Sequence, residues 1–228
     1  MCRICGELQE LSRLYCDKCR VMEGDFDTIV CIYSSCAHLE DAKKLRDSLT
    51  LPNSKFLIFL SKDYEGEEDE GIVKLDVDEG YELLSLKTYK MFKYVFDSGF
   101  KFKKIYKIDV PQGAENIDDV KEKFFGNSVE INDHYFGNDW YKASEKSILS
   151  WFKAKGMLIN GGSWLLLTGQ INIYYFSGKL YGLSKDFFDF FISHDATEGL
   201  CHLMVKDWGG CEDIVVGIIY EKFLDDKQ

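Results

Sequence analysis

The stretch "DTIVCIYSSCAHLEDAKKLRDSLTLPNSKFLIFLS", residues 27–61, decides the fold. Its opening "DTIVCIYSS" is an apolar run ending in small polar residues, which reads as a buried strand. "AHLEDAKKLRDSL" then spaces its apolar residues as one face of a helix, and "KFLIFLS" is a second strand. Strand, helix and strand in that order predict a parallel pair joined by a helical crossover.

The alternation continues outward from there. "KDYEGEEDEG" (62–71) is an acidic, solvated loop, and "IVKLDV" (72–77) is a third strand. "ELLSLKTYKMFKYVFDSG" (82–99) is a long amphipathic helix ended by Gly99. "KKIYKIDV" (103–110) is a fourth strand running into Pro111. The expected class is α/β, with an open, mostly parallel sheet flanked by helices. Ligands in such sheets sit beyond the carboxyl ends of the strands, which places Ser34, Ser35, Asp76 and Asp109 at one crevice.

The second half reads differently. "NSVEINDHYF", "GMLINGGSWLLL" and "INIYYFSGKLYGLS" predict shorter strands and turns. "KDFFDFFISH" predicts a helix, and "EDIVVGIIYEKFL" a final helix or a helix leading into a strand. No long linker interrupts the chain, so residues 26–228 are expected to form one unit after a small module at 1–25.

That module is defined by cysteine spacing. "CRICGELQELSRLYCDKC" sets Cys2, Cys5, Cys16 and Cys19 as two CxxC pairs, the spacing of a closed tetrahedral zinc site. Gly6 suits the tight knuckle turn after the first pair. The expected cofactor is a structural zinc that staples a segment with little core of its own; a docking knuckle for protein or nucleic acid is the rival reading. Cys31, Cys36, Cys201 and Cys211 stand in scattered apolar contexts and read as packing residues.

Composition bounds the partners. The 228 residues are 46% hydrophobic and rich in aromatics, with 17 Phe, 13 Tyr and 4 Trp, so a packed core is expected. Lys plus Arg number 28 against 39 Asp plus Glu, a net charge of −11, which argues against nucleic acid as a partner. No apolar run is long enough to span a membrane, and no secretory signal is visible at the start. Eight cysteines in that context point to a reducing, cytoplasmic setting.

Four blocks in order carry a resemblance. Tyr81, Leu84, Ser85, Leu86, Lys87 and Thr88 match a Tyr-x-x-Leu-(Thr/Ser)-Leu-Lys-Thr helix. "KIYKIDVP" matches the start of a Lys-Thr-Asp-Asp-Asp strand end at Asp109. Gly178, Tyr181 and Ser184 match a Ser/Ala-Gly-x-x-Tyr-x-x-Ser segment, and Glu212, Asp213 and Gly217 match Glu-Asp-Val-x-x-Gly. Over about residues 27–224 the chain resembles glycosyltransferase family 31, the beta-1,3-galactosyltransferase and Fringe group.

The resemblance implies a GT-A fold and inverting transfer from a nucleotide-sugar donor, usually a UDP-sugar, to a sugar hydroxyl of a glycan or glycoprotein. It makes Asp213 the catalytic base, with Glu212 beside it. It groups Ser34, Asp76, Lys87, Asp109, Gly178 and Tyr181 around the donor. The chemistry agrees, because inverting transfer needs a base for the acceptor proton and positive charge for the leaving diphosphate. Adjacent carboxylates raise the proton affinity of one of them, a helix N-terminus lowers it, and capping alone would also explain the pair. Trp140, Tyr141 and Trp208 are candidates for stacking on the acceptor.

One departure matters. Val110 and Pro111 replace the second and third aspartates of the family's metal motif. His194 and His202 precede the Glu-Asp block and do not match the family's late histidine ligand. Three expectations follow: lysines serve the diphosphate without a metal; Mn²⁺ or Mg²⁺ is held by other carboxylates such as Asp76, Asp78 or Glu115; or a catalytically degenerate fold binds as an adaptor. The family's eukaryotic members are Golgi-anchored, so a chain without a secretory signal suits a microbial or virus-encoded enzyme acting in a host cytoplasm.

Overall fold

The computed structural model describes residues 25–66, 71–110, 117–125, 129–137, 139–144, 172–207 and 211–227. The cysteine module, with Cys2, Cys5, Cys16 and Cys19, lies outside the described residues, as do Pro111, Glu115, Trp208 and the segment "GMLINGGSWLLL".

The first half follows the expected order. Strand β1 is Thr28–Tyr33, β2 Ser54–Leu60, β3 Ile72–Lys74 and β4 Lys104–Asp109. Helix α1 (Leu39–Ser48) joins β1 to β2, and α2 (Leu84–Asp97) joins β3 to β4. After β4 come α3 (Ile117–Phe125), β5 (Val129–Asn132), β6 (Tyr135–Gly137) and β7 (Trp140–Ser144). The chain ends with β8 (Asn172–Phe176), β9 (Leu180–Ser184), α4 (Lys185–Ser193), α5 (Ala196–Asp207) and α6 (Glu212–Asp226).

The main sheet has seven strands in the order β3-β2-β1-β4-β9-β6-β5. The first four are mutually parallel, and β9, β6 and β5 then add antiparallel pairings. The result is a mixed, mostly parallel α/β sheet. β7 and β8 form a separate antiparallel pair.

The parallel strands are apolar on both faces because helices cover both. Successive residues of β1 divide between two cores: Ile29 and Cys31 join one, Val30 and Ile32 the other. The larger core receives Met91, Phe92 and Val95 of α2, Phe187 and Phe188 of α4, and much of α6. The smaller receives Ala42 and Leu45 of α1 and Val120 of α3.

Two helices depart from the sequence reading. Helices α3 and α5 were not assigned by periodicity. Of the two expectations for the last segment the structure shows the first, one continuous helix, despite its β-branched run Ile214–Val216. Packing decides there: α6 lies against β8, α2, α4 and α5, and Ile214 through Tyr220 are all buried. Gly217 makes the close approach possible, since a β-carbon there would stand 2.6 Å from the carbonyl oxygen of Tyr174. Cys31, Cys201 and Cys211 are buried thiols as expected, whereas Cys36 is exposed.

Candidate functional site

The carboxyl ends of β1 and β4 open onto a cleft of about 370 Å³, within the size range of small-molecule sites. Tyr33, Ser34 and Ser35 line it from the end of β1, and Asp109 and Val110 from the end of β4. Glu79, Gly80 and Tyr81 form the wall before α2, Lys123 of α3 stands opposite, and Lys179 comes from the β8–β9 turn.

A buried ion cluster adjoins this cleft. Lys107 and Asp109 are two apart on β4, so both side chains leave the same face. The ammonium of Lys107 lies 2.6 Å from Asp109 Oδ1 and 2.9 Å from Glu212 Oε1, and it donates to the carbonyl of Gly178. Only 1% of the Lys107 side chain is exposed. Burial alone would push that ammonium down, but Asp109 and Glu212 outweigh it and hold its pKa above the ordinary lysine value. One buried cation thus joins β4, the β8–β9 turn and the first turn of α6.

Gly178 is required at the centre. A β-carbon there would lie 2.3 Å from Glu212 Oε1, closer than any real contact. Gly178→Ala is therefore expected to cost about 1–3 kcal/mol in chemical denaturation, by forcing Glu212 off Lys107. An unchanged unfolding midpoint would show that the turn can yield.

Asp213 stands on the same turn. Its Oδ2 accepts from the Gly178 amide at 3.3 Å and its Oδ1 from the Ile214 amide at 2.9 Å. It keeps part of its surface open, yet burial, and then the charge of Glu212, raises its pKa to about 7. Asp109 is raised to about 6, first by burial; Lys107 opposes the rise and Glu212 adds to it. The sequence left the sign at Asp213 open, and burial decides it against the helix N-terminus.

The other sequence candidates divide. Ser34 is buried at the cleft, and its carbonyl accepts from Lys87 at 2.7 Å. Lys87 is wholly buried, 3.4 Å from Glu79 Oε2 and 4.2 Å from the Tyr33 ring centroid, so it braces the cleft wall from behind rather than facing a ligand. Tyr181, paired with Lys107 across β4 and β9, is fully buried beneath the cluster. Asp76 stands apart: its side chain is 97% exposed, and its carbonyl accepts from Lys90. Asp78 pairs with Lys62 at 2.6 Å. His194 accepts from the Ala196 amide after α4, and His202 faces Glu198 on α5, both away from the cleft. Tyr141 is half-exposed and stacks on Tyr175, whose own pKa is raised by burial and then by the charge of Asp213.

Sequence reasoning missed Lys107, Tyr33, Glu79 and Lys179. A lysine inside the apolar "KIYKIDV", two residues before an aspartate, was the available signal for Lys107. The Tyr33 hydroxyl is buried without a hydrogen-bond partner among the described residues. Its pKa is raised by burial and then by Asp109, Glu79 and Glu212, so the group faces the acidic cluster.

At the end of β4 the described residues offer one carboxylate, Asp109. Asp109 is already engaged by Lys107, and Val110, buried in the smaller core, carries no oxygen ligand. Among the described residues, no group of three or more His, Cys, Asp or Glu side chains is arranged to hold a metal.

The class defined here is an α/β protein with an acidic cleft at the carboxyl edge of its parallel strands. Comparison with known protein families and with curated proteins finds no match to this chain. No helix among the described residues is long and apolar enough to cross a membrane.

Proposed function

We propose that this protein is an inverting glycosyltransferase of GT-A type, moving a sugar from a UDP-sugar donor to a sugar hydroxyl. The observation that carries the reading is convergence. Asp109, Gly178 and Glu212, far apart in sequence, meet on the single ammonium of Lys107 beside the cleft, with Asp213 on the same turn.

Asp213 is the base. With a pKa of about 7 it is partly ionised near neutrality and strong enough to accept a proton. The acceptor hydroxyl gives its proton to an Asp213 oxygen as its own oxygen bonds to the anomeric carbon. The bond from that carbon to the phosphate oxygen breaks on the opposite side, and its electron pair leaves with UDP. Ser34 and Tyr33 border the donor, and the Tyr141–Tyr175 stack offers an apolar face for the acceptor ring. The four cysteines of the first module form a structural zinc site in this reading.

The test is UDP release from a panel of UDP-sugars with sugar acceptors. Release above the uncatalysed rate, lost in Asp213→Asn, supports the reading; no release with any pair, or undiminished release in the variant, defeats it. The engagement of Asp109 by Lys107 favours a second reading, a catalytically degenerate adaptor of the same fold. That protein would bind UDP and never turn over a donor.

A further inference from the structure

The amino edge of the sheet, opposite the cleft, carries a second concavity. It is a groove of about 310 Å³ walled by Phe96 at the end of α2, Phe100 and Phe102 ahead of β4, and Phe188 of α4. The rings pack on one another: the centroids of Phe102 and Phe188 are 5.2 Å apart, and those of Phe96 and Phe188 6.4 Å. Phe100, Phe102 and Phe188 are buried, but Phe96 is 43% exposed at the rim. Lys101 and Lys185 line the same groove and make its edge basic.

The chain enters the described fold beside this groove. The Phe26 amide donates to the Lys101 carbonyl at 2.8 Å, and the Phe26 ring meets Phe100 edge to face at 5.8 Å. Asp25 pairs with Lys101 in the parallel sense. Parallel partners advance together, so the chain ahead of Asp25 is aimed past Phe100 and Gly99, two residues of the groove itself. Twenty-four residues precede that point, "MCRICGELQELSRLYCDKCRVMEG", outside the described residues. Their apolar pair nearest the entry is Val21–Met22. Met22 stands three residues before Asp25, a span of at most about 10 Å, which is within reach of a groove lined by the partner of Asp25. Glu23 and Asp25 bring negative charge to the side where Lys101 and Lys185 stand.

We propose that this groove is the docking site of the chain's own cysteine module, residues 1–24, with Val21 and Met22 set against Phe96 and Phe188. A module this short has little core of its own, so its apolar side chains need another surface, and a tethered segment meets a nearby groove at high effective concentration. Docking there holds the module at the amino edge of the parallel strands. The cleft lies at their carboxyl edge, about 20 Å away, the length of a six-residue strand. The module then braces the junction of α2, β4 and the entry to β1, and it contributes no side chain to the cleft. The proposal does not depend on the transferase reading.

The experiment is hydrogen–deuterium exchange of the full chain, read by mass spectrometry. In the wild type, amides over 20–24 and over 98–102 are expected to exchange more slowly than an unstructured chain. Phe96→Asp is expected to speed exchange over 20–24 about tenfold or more, and Met22→Asp to speed it over 98–102 by a similar factor. Phe125→Asp is the control. Phe125 is 52% exposed on α3, which packs on the smaller core, and its variant should leave both segments as in the wild type. Met22 lies ahead of the described fold, so Met22→Asp carries the test if Phe96→Asp loosens α2, which faster exchange over β1 and β4 would reveal. Wild-type exchange over 20–24 at the rate of an unstructured chain overturns the proposal, as does an unchanged 98–102 in Met22→Asp. A dimer in light scattering that Phe96→Asp dissociates, with 20–24 unaffected, gives the groove to a second copy and overturns it too.

Discussion

Lys107→Met is expected to cost about 3–5 kcal/mol of folding stability. The wild-type ammonium is 1% exposed and the Glu212 side chain 7%, so neither charge has water to fall back on. Methionine fills the space but leaves Glu212 and Asp109 facing each other with no cation between them. Two uncompensated carboxylates then remain in a site that already raises the pKa of Asp109 to about 6. The loss should appear as a lower denaturant midpoint near neutral pH, and it should shrink in acid, where both carboxyls are protonated. Adding Glu212→Gln to the variant should restore part of the loss, because it removes the orphaned charge rather than the volume. A loss below about 1 kcal/mol would mean that water reaches the cluster and screens it as at a surface.

That cluster also marks where sequence reading ended. The strand–helix alternation over residues 27–110 was legible because a parallel sheet buried on both faces writes its strands as unbroken apolar runs. Ser34 and Asp109 at the cleft followed from the strand ends alone. Asp76 was expected at the same edge by the same rule, yet it lies in the open. The reason is topological: β3 is the outermost strand, so its carboxyl end is one strand farther from the β1–β4 opening. Helix α5 was not legible because Gly199, a poor helix former, lies within it and its apolar residues do not keep one face. Lys87 misled for another reason. The resemblance grouped it around the donor, but it is buried on the side of α2 that carries Ser85, Thr88 and Met91, where the Ser34 carbonyl and the Glu79 carboxylate satisfy it. Long-range partners of that kind carry no local signature.

Asp213→Asn is expected to lower turnover about 10²- to 10⁴-fold while leaving UDP affinity within about twofold of the wild type. The amide is nearly isosteric and cannot take the acceptor proton, and Asp213 does not line the cleft beside Asp109. In the wild type, kcat/KM should fall about tenfold per pH unit below about 7, because the base must be ionised and its pKa is raised to that value. The same shift has a consequence for stability. A carboxyl that holds its proton more tightly when folded than when unfolded stabilises the fold less as pH rises, from the ordinary aspartate range near about 4 up to about 7. Wild-type stability should therefore decline across that window, and the decline should be shallower in Asp213→Asn, whose amide does not titrate. Thermal unfolding of both proteins at several pH values checks this without any substrate. Parallel stability curves would place the Asp213 carboxyl in water with an ordinary pKa, and a group so ordinary would have no special claim to the acceptor proton. The two readouts are thus linked: burial that makes Asp213 a usable base near neutrality is burial that the folded protein must tolerate as a penalty above that pH.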